Sequence, residues 1–266
     1  MTMLAGASEQ AQPLDRAASG VEGRADERSV AGLFLTPAML ILGLIALYIY
    51  LHSHPLDSIE KRSLNQAFLT KKVIQHIELT AVSTVLVILI AIPLGIMLTR
   101  PAMRRATPFV LGVVNIGQAV PSIGVLVLLA LKFGIGFKYA VIALVLYSFL
   151  PVLRNTMAGL QRVDRALIDA GRGMGMTKRL VLFRVELPLA VPVMMAGIRT
   201  ALIINVGTAT LATFTNAGGL GDVIDAGLKL SRQPVLITGA ALVAILALTL
   251  DWLAGLAERV LRPRGL

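Results

Sequence analysis

The sequence predicts an all-α integral membrane protein with about six transmembrane helices. Of its 266 residues, 56% are hydrophobic and only 15% are charged, and the mean hydropathy is +0.79. The apolar residues form long runs rather than recurring at amphipathic spacing, and several runs are long enough to cross a hydrocarbon core of roughly 30 Å. The fold class therefore follows from composition and run length alone.

Charge and cysteine content exclude other classes. The net charge of +10 does not indicate a nucleic-acid partner, because aromatic residues are only 5% of the chain and the basic residues lie mostly between the apolar runs. The absence of cysteine excludes disulfides and thiolate metal sites. We predict a solvated loop around His52, His54 and His76, and no metal site.

Six spans are predicted in chain order. Residues 1–29 mix acidic and basic residues with small ones, which is typical of a disordered tail, here predicted to be cytoplasmic. The third span is expected to be kinked at Pro121, since proline removes a helical hydrogen bond. The predicted spans cover residues 30–51, 76–98, 108–131, 137–153, 189–214 and 235–257.

The basic residues predict the orientation. With the N-terminus in the cytoplasm, the inside segments hold about twice as many Lys and Arg residues as the outside segments, and positive charge favours the cytoplasmic side. Six spans with both termini inside are therefore preferred. A five-span arrangement, in which the first apolar run does not cross the membrane, remains an alternative. The basic residues between positions 61 and 72 weaken the charge difference between the two sides.

The basic, glycine-punctuated segment DAGRGMGMTKRLVLFRVELP, residues 169–188, lies between two apolar runs on the predicted cytoplasmic side. A short helix is predicted over residues 162–174, and Gly171, Gly173 and Gly175 favour a turn after it. An amphipathic segment then runs from Lys178 to Glu186. Its length and glycine arrangement favour a docking element over a simple connecting loop.

Here the chain resembles the permease subunits of binding-protein-dependent ABC importers. Their cytoplasmic loop signature reads Glu-Ala-Ala, three residues, Gly, and a later Leu-Pro. This chain matches the signature with two departures, Asp for Glu and Gly for the second Ala, at the correct spacing. The matching positions are Asp169, Ala170, Gly171, Gly175, Val185, Leu187 and Pro188.

The resemblance covers roughly residues 66–264 and is strongest to the osmoprotectant branch, which imports glycine betaine, carnitine, choline or proline betaine. It is carried by the stretches IPLGIMLTR, QAVPSIGVL, YSFLPVLRNT, ELPLAVPVMMAGIRTA, GTATLATF and GGLGD. It implies a type I ABC importer permease fold with five core helices, to which residues 30–51 add one. The closest alternative is a methionine-type amino-acid importer.

The same resemblance implies the partners. They are cytoplasmic ATPase subunits, a second permease subunit (identical or paralogous) and an extracytoplasmic substrate-binding protein, in a bacterial inner membrane. The loop 160–188 would supply the coupling helix for the ATPase. The chain has no phosphate-binding loop, since GGLGD at 218–222 lacks the lysine, so ATP and Mg²⁺ are expected in the partner and no enzymatic activity in this chain.

Polar residues inside the spans suggest a translocation path, because polar groups in lipid usually turn inward, although they also bond helix to helix. The candidates are Gln118, Ser122, Asn205, Thr208, Thr210 and Thr213. Arg199 and Asp251 are predicted to pair between the fifth and sixth spans, with separate snorkelling to the interface as the alternative. An ion-driven transporter and an intramembrane enzyme are disfavoured, since neither paired carboxylate sites nor a catalytic cluster is evident.

Overall fold

The computed structural model describes residues 34–261. The described residues divide into two units, residues 34–46 and residues 47–261. Helix α1, Phe34–Ser53, is apolar around its whole circumference, and side chains such as Phe34 and Leu42 are exposed. The predicted tail, residues 1–29, lies outside the described residues.

The second unit is helical throughout its described part. Asn65 caps α3 by accepting a hydrogen bond from the backbone N–H of Ala67, and a capping box of Asp57 and Glu60 begins α2. The helices are α2 Ser58–Ser63, α3 Gln66–Leu98, α4 Thr107–Ala119, α5 Ser122–Phe133, α6 Phe137–Gln161, α7 Arg165–Gly173, α8 Lys178–Val181, α9 Leu187–Ala209, α10 Gly221–Lys229 and α11 Gln233–Leu261. Short 3₁₀ turns cover Pro101–Met103 and Thr210–Thr215, and a π-helical turn, Leu182–Glu186, joins α8 to α9.

Five of the described helical stretches are long and apolar enough to span a membrane, or six spans if α4 and α5 count as one. The predicted kink at residues 108–131 is a break, with α4 and α5 at 92° to each other. Helix α6 continues to Gln161, eight residues beyond the predicted end at residue 153. Arg154, the first residue after the predicted span, therefore lies within the helix.

Helices α3, α6 and α9 pack closely through small residues. A Cβ on Gly197 of α9 would come within 2.8 Å of the Pro151 carbonyl oxygen of α6, and one on Gly95 of α3 would come within 2.8 Å of Thr156 Cγ2. Small residues let helix backbones approach where lipid supplies no hydrophobic drive between helices. The three helices thus form the core of the bundle.

The two ends of this bundle differ in composition. The end that holds Arg100, α7 and α8 is called the basic end, and the end that holds residues 218–222 is called the glycine end. Helix α4 starts at the basic end, where Thr107 Oγ1 donates to the Leu98 carbonyl. Leu126 of α5 packs with Ala140 and Ala212 at the glycine end. The bent pair α4–α5 therefore crosses from one end to the other.

Backbone groups released by proline and by helix ends are satisfied from neighbouring helices. Pro151 leaves the Tyr147 carbonyl without its helical donor, and Gln118 Nε2 of α4 donates to that oxygen at 2.5 Å. At the end of α9, His76 Nε2 donates to the Val206 carbonyl at 3.0 Å. In lipid such compensation is required, because no water can replace the lost partner.

The histidine prediction is wrong for His76. Its side chain is fully buried in α3, where Nε2 donates to Val206 O and Nδ1 accepts from the backbone N–H of Leu220 at 3.2 Å. These partners define a neutral imidazole protonated on Nε2. His52 lies in the last turn of α1, where its ring is 4.0 Å from that of Tyr48. Hydropathy did not predict that His52 and His76 lie within helices, because α1 and α3 extend beyond their most apolar segments.

Candidate functional site

Helix α7 begins at a side-chain cap and presents a mixed surface. Asp164 accepts a hydrogen bond from the Ala166 N–H at 2.9 Å, which satisfies one of the unpaired donors of the first turn. Asp169 and Ala170 are exposed, and the apolar side chain of Leu167 is 49% exposed. The helix therefore offers charged and apolar groups together, as a docking surface requires.

Gly175 ends α7 in a Schellman motif. The N–H of Met176 donates to the Gly171 carbonyl at 3.1 Å, and the N–H of Gly175 donates to the Arg172 carbonyl at 3.0 Å. Gly175 has φ +83°, a conformation that glycine adopts without strain. The helix runs through Gly171 and Gly173, so only the third of the three glycines makes the predicted turn.

After this turn the chain folds back on α7. Thr177 caps α8 by accepting from the Leu180 N–H, and the side chain of Val181 is buried. A Cβ on Gly171 would lie 3.5 Å from Val181 Cγ2 and 3.9 Å from Val185 Cγ2. Gly171 and Val185 therefore belong to the small contact that joins the two arms of the loop.

Leu187, Pro188 and Glu186 attach the loop to the bundle. Leu187 packs against Leu160 and other apolar residues at the basic end, and Pro188 lies in the first turn of α9, where its missing N–H costs little. Both oxygens of the buried Glu186 carboxylate accept from the Arg100 guanidinium, at 3.2 and 2.6 Å. The second arm of the loop is thus fixed to the end of α3.

The proposed path residues fall into two groups. Gln118 and Asn205 form helix-to-helix hydrogen bonds, Gln118 with Tyr147 O and Asn205 Nδ2 with Thr84 Oγ1 at 3.0 Å. Asn205 is fully buried, so its geometry supports the packing alternative. The remaining candidates, Ser122, Thr208, Thr210 and Thr213, are partly exposed, and their role in a path stays a prediction.

An arginine just after the predicted fourth span lies on α6 beside α4. Arg154 Nη2 donates to Asn115 Oδ1 at 2.7 Å, and Arg154 is exposed. No carboxylate pairs with it among residues 34–261. It lies seven residues, or about 10 Å, before the end of α6. The hydrogen bond therefore joins α6 to α4.

Arg199 and Asp251 meet between α9 and α11. Arg199 Nε and Nη2 donate to the two carboxylate oxygens of Asp251, each at 2.9 Å. Nη1 lies 3.4 Å from Oε2 of Glu258, which is about two helical turns further along α11. The structure thus contains the pair in bidentate form, with a second carboxylate that the sequence analysis did not assign.

A model of the family described as binding-protein-dependent transport system inner membrane component matches residues 91–263. The chain belongs to this family. A choline transport system permease protein of Bacillus subtilis (strain 168) is 44% identical over 202 residues, which cover 76% of this chain and 92% of that protein. An osmoprotectant import permease protein of Salmonella typhimurium (strain LT2) is 41% identical over 225 residues, 85% of this chain and 93% of that protein.

Solved structures agree on the fold of this family member. An inward-facing structure of a methionine ABC transporter matches with a TM-score of 0.65 and 26% sequence identity, over 73% of this chain and 96% of that one. The chain therefore has the type I ABC importer permease fold, as the sequence predicts. Its relatives are transport permeases of the inner membrane, not enzymes.

Proposed function

We propose that this chain is the permease subunit of an ATP-driven importer of quaternary-ammonium osmoprotectants such as choline, glycine betaine, carnitine or proline betaine. The observation that carries the proposal is the 41–44% identity to choline and osmoprotectant permeases over most of the chain. The methionine transporter is a more distant relative, at 26% identity, so a methionine-type importer is the second candidate.

Within this proposal, the loop 160–188 is the coupling element for a separate ATPase subunit that binds ATP and Mg²⁺. Support comes from its form, a helix, a glycine turn and a helix that is anchored at Leu187 and Arg100–Glu186. The apolar groups Leu167 and Met174 are 49% and 72% exposed, and Arg172 lies between them in the sequence. Movement of the ATPase would reach α9 directly, since Lys178–Thr215 is one continuous helical stretch.

Orientation is part of the proposal. The start of α11 lies at the glycine end, where Val235 packs against Leu220 and Val223, so the end of this 29-residue helix lies toward the basic end. The basic end is then cytoplasmic by the positive-inside rule. A second permease subunit and an extracytoplasmic binding protein complete the importer, and the binding protein would contact the glycine end.

Coupling is tested by capture of the ATPase subunit on the tagged chain, purified from its own membranes. Asp169→Lys and Gly175→Ala should reduce capture, the latter because alanine at φ +83° costs roughly 1–2 kcal/mol and shifts α7. Gly136→Ala is the matched control, since Gly136 has φ +123° and open space around it at the start of α6. Equal capture by all variants would refute the coupling role, and capture of no ATPase by the wild type would refute an ATP-driven importer.

The substrate is tested by uptake in cells that contain the complete importer. Radiolabelled choline and glycine betaine should be taken up in an ATP-dependent way, and unlabelled carnitine should compete while methionine does not. Competition by methionine alone would favour the second candidate. Uptake that collapses with the ion gradient while ATP is maintained would contradict both candidates.

A further inference from the structure

A cavity of about 780 Å³ lies at the basic end. It is bounded by the end of α3, the end of α6, helix α7 and the start of the α8–α9 stretch. The cavity is formed within a single chain, between the loop and the end of the bundle, and it opens to one side. Asp169 of the proposed coupling loop is among the lining residues, so the cavity adjoins the coupling surface.

The walls of this cavity are strongly basic. Two carboxylates, Asp169 and Glu186, also line it, and Glu186 is already occupied by Arg100. The other lining cations have no ion-pair partner among residues 34–261. The five cations are Arg100, Arg165, Arg172, Lys178 and Arg179.

One side of the cavity is apolar. Ile96 and Met97 at the end of α3, with Leu160 and Leu182, line it, and Met97 is 52% exposed. A free inorganic anion gains nothing from such a wall, and the lining contains no aromatic ring to stack on a nucleotide base. A ligand that joins a phosphate to hydrocarbon matches both sides.

We propose that this cavity binds the headgroup phosphate of an anionic phospholipid, such as phosphatidylglycerol, whose acyl chains lie along the end of α3. Basic pockets between transmembrane helices at the cytoplasmic side are suited to such headgroups, and guanidinium groups bind phosphate through two parallel hydrogen bonds. A lipid bound there contacts α7, α8 and α3 together and stabilises the loop against the bundle. The proposal needs the membrane setting that the family shows, and it does not depend on which solute is carried.

The test measures phosphatidylglycerol bound to the full-length chain, by native mass spectrometry from mixed micelles of a zwitterionic detergent and lipid. The double variant Lys178→Gln/Arg179→Gln should lower the affinity about 25-fold, roughly fivefold for each cation removed. Arg104→Gln/Arg105→Gln is the matched control. It removes the same charge from two consecutive exposed cations near the same end, outside the cavity lining, and should leave the affinity unchanged.

Binding of other ligands distinguishes a lipid phosphate from free inorganic phosphate. Phosphatidylcholine and diacylglycerol should not replace phosphatidylglycerol, and millimolar inorganic phosphate should not displace it. Displacement by phosphate alone would show a free-anion site and overturn the lipid assignment. Equal loss in the cavity pair and the control pair would show general surface charge instead, and would also overturn it.

Folding and coupling are controlled in the same samples. Both double variants should give the same elution profile and helical circular dichroism as the wild type, and Arg165→Gln provides a single, milder change in the cavity. Lipid affinity is then compared with ATPase capture. Loss of lipid with capture retained supports the cavity site independently of coupling, whereas release of the lipid when the ATPase binds would assign these cations to the ATPase contact and refute the proposal.

Discussion

The two ends of the bundle are held by different chemistry. At the glycine end, the loop 218–222 is fixed to α3 by neutral hydrogen bonds to His76 and Gln75, with one ion pair between Lys72 and Asp222. Gly218 and Gly219 lie against these side chains with positive φ. Steric fit therefore determines this end.

At the basic end, ion pairs are added to the close helix packing at Gly159. Arg100, which is partly exposed, pairs with the buried Glu186, and Arg199 pairs with Asp251, both partly exposed. Arg199 also has a second carboxylate within reach, since Glu258 Oε2 lies 3.4 Å from its Nη1. The glycine end is therefore a sterically fixed joint, whereas the basic end can exchange ion-pair partners. Such exchange is expected at the end that an ATPase subunit would move.

The largest effect is expected at the fixed joint. A Cβ on Gly221 would collide with the backbone carbonyl of Thr210, which cannot rotate away. Gly221→Val should therefore destabilise the fold by about 3 kcal/mol, seen as a lower melting temperature in detergent. Gly207→Ala is the control, because Gly207 is on α9 near the same end with nothing within 4 Å of its Cβ position. Equal melting of both variants would contradict a joint based on fit.

His76→Leu tests the neutral part of the same joint. It leaves the Val206 carbonyl and the Leu220 N–H buried without a partner, which should cost about 2 kcal/mol. Because no charge is involved, the loss should be the same at low and high salt. His76→Gln keeps a donor and an acceptor and should recover part of the stability. A strong salt dependence in His76→Leu would show that the ring acts as a cation.

The sequence predicts those parts of the fold that depend on local properties, such as hydropathy and motif spacing. The spans follow from hydropathy, and the Asp169–Pro188 spacing identifies the loop, because both are local properties. The bend between α4 and α5 follows only in part, since Pro121 predicts a kink but not its 92° size. That angle depends on tertiary contacts such as Leu126 with Ala140.

Most long-range hydrogen-bond partners were not predictable from the sequence. The roles of His76 and Gln118 depend on which carbonyl a neighbouring helix leaves free, 130 residues away for His76. One signal existed for Gln118, since Pro151 predicts a free carbonyl at Tyr147. Arg199 with Asp251 was predictable because two opposite charges in apolar runs at similar depth have few other partners.

The ion pair of α9 and α11 is expected to contribute less than the glycine joint. Arg199→Met should cost about 1–2 kcal/mol, because the pair is one-third exposed and partly screened. Asp251→Asn should cost less, since Glu258 can replace Asp251. The swap of Arg199→Asp with Asp251→Arg should recover stability lost in each single reversal. Melting temperature at two salt concentrations measures all five variants, and a swap no better than the single reversals would show that the pair contributes nothing.

The smallest effect is expected in the loop at Gly171, where a substitution should increase stability. This glycine stands where the family signature has alanine, and the Cβ of an alanine would meet Met176 and Val181 at 3.5 Å, an ordinary contact. Gly171→Ala should stabilise α7 by roughly 0.5–1 kcal/mol through reduced backbone freedom, and slow amide exchange in α7 about two- to fivefold. Gly173→Ala, with open space around it, should give the same gain. If Gly171→Ala speeds exchange while Gly173→Ala slows it, the arms of the loop pack more tightly than these distances indicate, and the basic end is a fitted joint like the other.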